Sequence, residues 1–92
     1  MRISKHLKIH GRVQGVGFRY FTVQQAKELE IDGWVANRSD GTVETVIQGE
    51  HFAVSEMMQR LRSGPIAAKV TEIEEFPITD PPENYHGFKV KR

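Results

Sequence analysis

The order in which the hydrophobic period changes along this 92-residue chain leaves few folds open. From Lys5 to His10 apolar and polar residues alternate, with Leu7 and Ile9 on one side and His6, Lys8 and His10 on the other. That period of two marks a half-buried strand. The stretch GRVQGVGFRY, residues 11–20, ends it. Phe18, Phe21, Ala26 and Leu29 then keep helical spacing, which predicts a helix over 18–30 with Gly33 just past its end as the stop. The runs GWVAN and TVETVIQG flank a Ser39-Asp40-Gly41 turn and read as a hairpin. Val54, Met57, Met58 and Leu61 form the apolar stripe of a second helix, which Gly64-Pro65 terminates. A fourth strand is expected over Lys69 to Phe76. Val70 and Ile73 have opposite parity there, which predicts a bulge or an edge position.

The segment ITDPPENYHG is a loop, since Pro81 and Pro82 cannot join a ladder, and GFKVKR reads as a short fifth strand with Phe88 and Val90 inward. The order β-α-β-β-α-β plus that extra strand is the order of a ferredoxin-like split βαβ sandwich. This is an α+β fold in which two helices cover one face of an antiparallel sheet. On this reading the other face is bare and carries His6, Lys8 and His10. One domain over 1–92, and a monomer, are expected.

Composition excludes several functions. Without cysteine there are no disulfides, no thiolate metal sites and no thiol nucleophile. A formal charge of +1 gives no reason to expect a nucleic-acid or membrane partner. The first residues, MRISKHLKIH, lack the apolar run of a signal peptide, so a cytoplasmic protein is expected. His6 and His10 share a strand face about 13 Å apart, too far for one metal ion without other ligands. His51 and His86 fall in predicted connections and are expected to be solvated. Trp34 is expected in the core or half-buried against the sheet.

The glycine stretch joins the first strand to the first helix. A helix start presents N–H groups without intrahelical partners, and glycines let the preceding loop aim further N–H groups at one anion. The forked guanidinium of Arg19 matches two phosphate oxygens. The stretch thus reads as a phosphate cradle, and equally as a glycine-rich connection with Arg19 a surface cation. It is not a dinucleotide fingerprint, because Tyr20 stands where the third glycine belongs, and no Gly-Lys-Ser or Gly-Lys-Thr of a Walker loop is present. Asn37, just before the turn, reads either as a turn residue bonded to its own backbone or as a neutral amide holding a water beside a bound phosphorus.

The run Gly11 to Arg19, GRVQGVGFR, resembles the first signature of acylphosphatases. Gly33-Trp34-Val35-Ala36-Asn37, followed by Asp40-Gly41, Val43-Glu44 and Gly49, is similar to the second. Gly64-Pro65 and Gly87-Phe88-Lys89-Val90 also resemble the family's layout, so the likeness covers essentially the whole chain. The resemblance implies hydrolysis of the carboxyl–phosphate bond of small acyl phosphates, with no metal and no organic cofactor. It implies that Arg19 and the N–H groups of Gln14, Gly15, Val16, Gly17 and Phe18 bind the phosphoryl group. It further implies that Asn37 orients the attacking water, and that a phosphate oxygen, not a protein base, takes the proton. Asp40 is expected to be structural. A module that binds acyl phosphates without turnover is the rival reading, although binding alone has no use for a water-orienting amide. RNA binding, another use of such sheets, fits poorly, because TVETVIQG carries no aromatic residue. A domain of a larger carbamoyl-transfer enzyme is a further relative of this pattern. With no zinc-type cysteines and a chain ending at Arg92, a free-standing protein is expected.

Overall fold

The computed structural model describes residues 1–78 and 83–92. Seven elements follow one another: β1 Arg2–Arg12, α1 Phe18–Leu29, β2 Asp32–Asn37, β3 Val43–Glu50, α2 His51–Ser63, β4 Lys69–Phe76 and β5 Phe88–Val90. The sheet order is β4-β1-β3-β2-β5. β1 pairs antiparallel with β3 and β4, and β3 with β2, as the split βαβ pattern requires. β5 runs parallel to β2, so the five-stranded sheet is mixed. Two of the loop's prolines, Pro81 and Pro82, lie outside the described residues.

Strand alternation decides what each face holds. Leu7 and Ile9 of β1, Val35 of β2, and Val43 and Ile47 of β3 are fully buried beneath the helices. Phe18 and Ala26 of α1, with Ala53, Val54, Met57 and Leu61 of α2, complete this core. Phe21, Leu29 and Met58 pack on it half-buried. Thr22 is also inside, its hydroxyl donating to the carbonyl of Phe18 one turn back (2.8 Å).

Both expectations for β4 are met. It is an edge strand, and Glu72 pairs with His10 while Val70 pairs with the next residue, Gly11. Thr71 is therefore the extra residue of a bulge. The bulge returns Val70 and Ile73 to the same face, and both pack against the main core.

Besides the parallel β5 in a sheet expected to be antiparallel, four details differ from the expectation. Helix α1 stops because Glu30, not Gly33, takes the left-handed conformation (φ 57°), and Gly33 lies inside β2. His51 opens α2 instead of lying in a connection, though it is exposed. Val90 is exposed (43%), where an inward position was expected. The face away from the helices is not bare. Trp34, Ala36 and Val46 form a second small core there with Tyr85 packed on it. The ammonium of Lys91 lies 4.5 Å from the centre of the Trp34 ring.

Candidate active site

β1 passes to α1 through residues 13–17, and the three glycines of residues 11–17 serve two purposes. Gly11 belongs to the sheet: a Cβ there would meet the carbonyl oxygen of Lys69 at 2.1 Å, beside the Thr71 bulge. Gly15 (φ 74°) and Gly17 (φ 80°) have open space around them, and a Cβ on either would touch nothing within 4 Å. They are glycines for direction, because a left-handed backbone strains other residues. From beneath, Val13 and Phe18 are buried to about 1% exposure and Val16 packs on the core, which pins the loop to the domain.

The result is a run of unused donors. Gly17 is the N-cap of α1, and the first helical bond is donated by Phe21 to the Gly17 carbonyl (2.9 Å). Among the described residues, no backbone N–H from Gln14 to Tyr20 has a protein acceptor. Backbone donors in proteins are nearly always paired, by chain or by solvent, so seven consecutive free ones form a ready anion site.

The turn between β2 and β3 is locked against this loop. Asp40 accepts from the hydroxyl of Thr42 (2.6 Å) and from its backbone N–H (3.1 Å), and pairs with Lys8 (2.9 Å). The Thr42 hydroxyl, then Lys8, then the Thr42 N–H hold the Asp40 carboxyl far below its ordinary value. Its role is thus structural, as expected. The carboxamide nitrogen of Gln14 donates to the carbonyls of Arg38 (2.7 Å) and Thr42 (2.8 Å). Sequence reasoning counted Gln14 for its backbone alone. A polar side chain at the one non-glycine, non-apolar loop position was the signal available, but its target lies more than twenty residues away in sequence.

Asn37, the last residue of β2, is half-buried on the helix side of the sheet. Among the described residues its carboxamide makes no hydrogen bond, so it is not spent on its own turn. The guanidinium of Arg19 is exposed and likewise has no ion pair or side-chain hydrogen bond among them.

Gly15, Gly17, Phe18, Arg19 and Asn37 line one cleft of about 480 Å³. The side chains of Gln14 and Val16 do not reach it, although their N–H groups belong to the unpaired run. Tyr20, Val23 and Val90 form an apolar wall, which explains why Val90 is not in the core. Gln24 and Lys27, further along α1, complete the lining, and among the described residues no carboxylate lines the cleft.

The titratable groups are gathered behind the sheet. His6 meets Glu44 (2.5 Å) and His10 meets Glu74 (3.1 Å). Burial pushes the Glu44 carboxyl up, but hydrogen bonds from Arg38 and His6 outweigh it and hold the group below its ordinary value. Among the described residues no three His, Asp or Glu side chains come together as a metal site. His51 and His86 are exposed and outside the cleft.

Fold and cleft together define a class, a ferredoxin-like α+β domain with a cationic, donor-lined cleft at its first strand–helix bend. Comparison with known proteins narrows it. The family model "Acylphosphatase" matches residues 5–90, and the chain belongs to the acylphosphatase family. It is 49% identical over 76 residues to an acylphosphatase of Nitrobacter winogradskyi, covering 83% of this chain and 77% of that one. To an acylphosphatase of Thermococcus kodakarensis it is 45% identical over 89 residues, covering 97% and 96%. The solved structure of an acylphosphatase from Coxiella burnetii superposes with a TM-score of 0.90 at 36% identity, over 98% of this chain and 93% of that one. The chain is thus an acylphosphatase, an enzyme hydrolysing acyl phosphates.

Proposed function

We propose that Arg19 and the N–H groups of residues 14–18 hold the phosphoryl group of the acyl phosphate, that Asn37 orients the attacking water, and that no metal ion takes part. The observation that carries this reading is the run of unpaired backbone donors ending at a free guanidinium, in the same cleft as an uncommitted carboxamide. The water oxygen attacks phosphorus and the bond from phosphorus to the acyl oxygen breaks. Its electron pair leaves on the carboxylate, and the water proton passes to a phosphoryl oxygen. A carboxylate is a good leaving group and needs no acid, which suits a cleft lined, among the described residues, by neither histidine nor carboxylate. Phosphoryl transfer asks chiefly for placement and for charge stabilisation by preorganised donors. A neutral amide serves beside a dianion, where a carboxylate would repel it.

The test is hydrolysis of acetyl phosphate with a chelator present, in H₂¹⁸O. Label is expected in inorganic phosphate and not in acetate, with the rate unmoved by chelator. Two charge-assisted bonds of about 1.5–3 kcal/mol each make Arg19→Ala slower by roughly two to four orders of magnitude. Asn37→Ala should lose turnover while keeping its affinity for inorganic phosphate. Wild-type rates in either variant overturn the role given to that residue, and loss of activity on chelation overturns the metal-free mechanism. A monomer acting in the cytoplasm belongs to the same proposal. A sequence without cysteine has no use for an oxidising compartment.

A further inference from the structure

We propose that Lys27 determines specificity, favouring acyl phosphates whose acyl group ends in a second anion, the monoacyl phosphates of dicarboxylic acids. The inference rests on the phosphoryl placement proposed above. The cleft, at about 480 Å³, falls in the range that holds whole drug-sized ligands, and acetyl phosphate would fill a small part of it. Its lining changes character along α1. Arg19 stands at the phosphoryl end. Tyr20, Val23 and Val90 give the cleft an apolar lining, and Lys27, eight residues beyond Arg19 along α1, is its second cation.

Arg19, Val23 and Lys27 are spaced i, i+4, i+8, on one stripe of the helix, with about 12 Å of axial rise between the two cations. Helical side chains lean toward the N-terminus, which carries the Lys27 ammonium back over Val23 and into the cleft. Lys27 is uncommitted among the described residues. Its neighbour Glu28 is taken by Arg60 (2.7 Å), and among the described residues no carboxylate lines the cleft to neutralise the ammonium. A methylene chain between two anions matches the sequence cation, apolar wall, cation.

The test compares glutaryl phosphate with pentanoyl phosphate, which share chain length and differ in a terminal carboxylate against a methyl. The readout is the ratio of their kcat/KM values in wild type, Lys27→Ala, Lys27→Glu and Lys27→Arg. An exposed ion pair predicts that the ratio falls about threefold to fivefold in Lys27→Ala, through KM, and further in Lys27→Glu. Lys27→Arg should keep it, and added salt should erode it in wild type. Hydrolysis of both compounds with one ratio in wild type and Lys27→Ala overturns this inference alone, as does a Lys27→Arg ratio equal to that of Lys27→Ala. Failure of wild type to cleave either compound overturns the reading of the cleft itself.

Discussion

Gln14 is where a small chemical change should separate binding from turnover. Its Nε2 bonds to the carbonyls of Arg38 and Thr42 are the hydrogen bonds that tie the donor loop to the turn following Asn37, among the described residues. Both carbonyls keep one other partner when the side chain is cut back. Gly41 donates to Arg38 (3.1 Å) and Arg38 donates to Thr42 (2.9 Å). Gln14→Ala therefore loses two bonds without stranding an acceptor, a cost of about 1–3 kcal/mol in loop–turn docking. If that docking sets the distance from the water on Asn37 to phosphorus, kcat for acetyl phosphate falls about 5- to 150-fold. The loop's N–H groups and Arg19 lie on the same side of the missing contact, so the inhibition constant for inorganic phosphate should stay within about threefold. Gln14→Glu should be worse, since a carboxylate faces two carbonyls with no hydrogen to offer and adds negative charge beside the substrate. Turnover in Gln14→Ala within twofold of wild type would refute the reasoning. So would phosphate affinity and kcat falling together, which would mean that the loop had collapsed and not merely shifted.

Two further predictions concern the scaffold. Gly15→Ala meets no atom within 4 Å and must hold φ near 74°, so it should cost roughly 1–2 kcal/mol in urea unfolding and weaken phosphate inhibition as the amides turn away. An unchanged midpoint would show that the loop relaxes freely. The folded-state Glu44 carboxyl lies below its ordinary 4.5, so its stabilising contribution is complete above about that pH and lost as pH falls through the lower folded value. Glu44→Gln should give a flatter dependence of the urea midpoint on pH between about 5 and 3 than wild type, and equal slopes would sink the assignment.

The element order was legible because each period persists long enough to be read: Lys5–His10 for a strand, Phe18–Leu29 for a helix. Even the irregularity of β4 could be anticipated, since Val70 and Ile73 cannot both face a core without an extra residue between them. Three things escaped, each for a physical reason. The three residues of β5 pair parallel to β2, and so short a run carries no signal of direction. Gly33 resembled a helix stop, but a Cβ at that position would meet the Val46 carbonyl oxygen at 1.9 Å, so the sheet claims it and Glu30 ends the helix. The apolar wall of the cleft joins Tyr20 and Val23 of α1 to Val90 of β5, which only tertiary packing brings to them. Arg19, Gly15, Gly17 and Asn37 stood out through their likeness to the two acylphosphatase signatures, since by chemistry alone the loop read equally as a plain connection and Asn37 as a turn residue. Gln14 did not, because a glutamine in a loop is ordinary until its partners are known.

The sheet also explains how a chain with a formal charge of +1 maintains a cationic cleft. Asp40, Glu44 and Glu74 point to the face opposite the helices, where Lys8, Arg38, His6 and His10 pair with them. That segregation leaves Arg19 and Lys27 as the charged groups lining the cleft among the described residues. The same far-side pairs grip the turn after Asn37, through Lys8 on Asp40 and through Arg38 on Glu44, while Gln14 grips it from the helix side. A neutral carboxamide has little charge with which to hold a water in place, so its usefulness depends on how rigidly its own backbone is held. On the proposed placement of the substrate, carboxylates that would repel it if they faced the cleft instead brace the turn from behind the sheet. In the proposed site, their distance from the phosphoryl group matters as much as the proximity of Arg19.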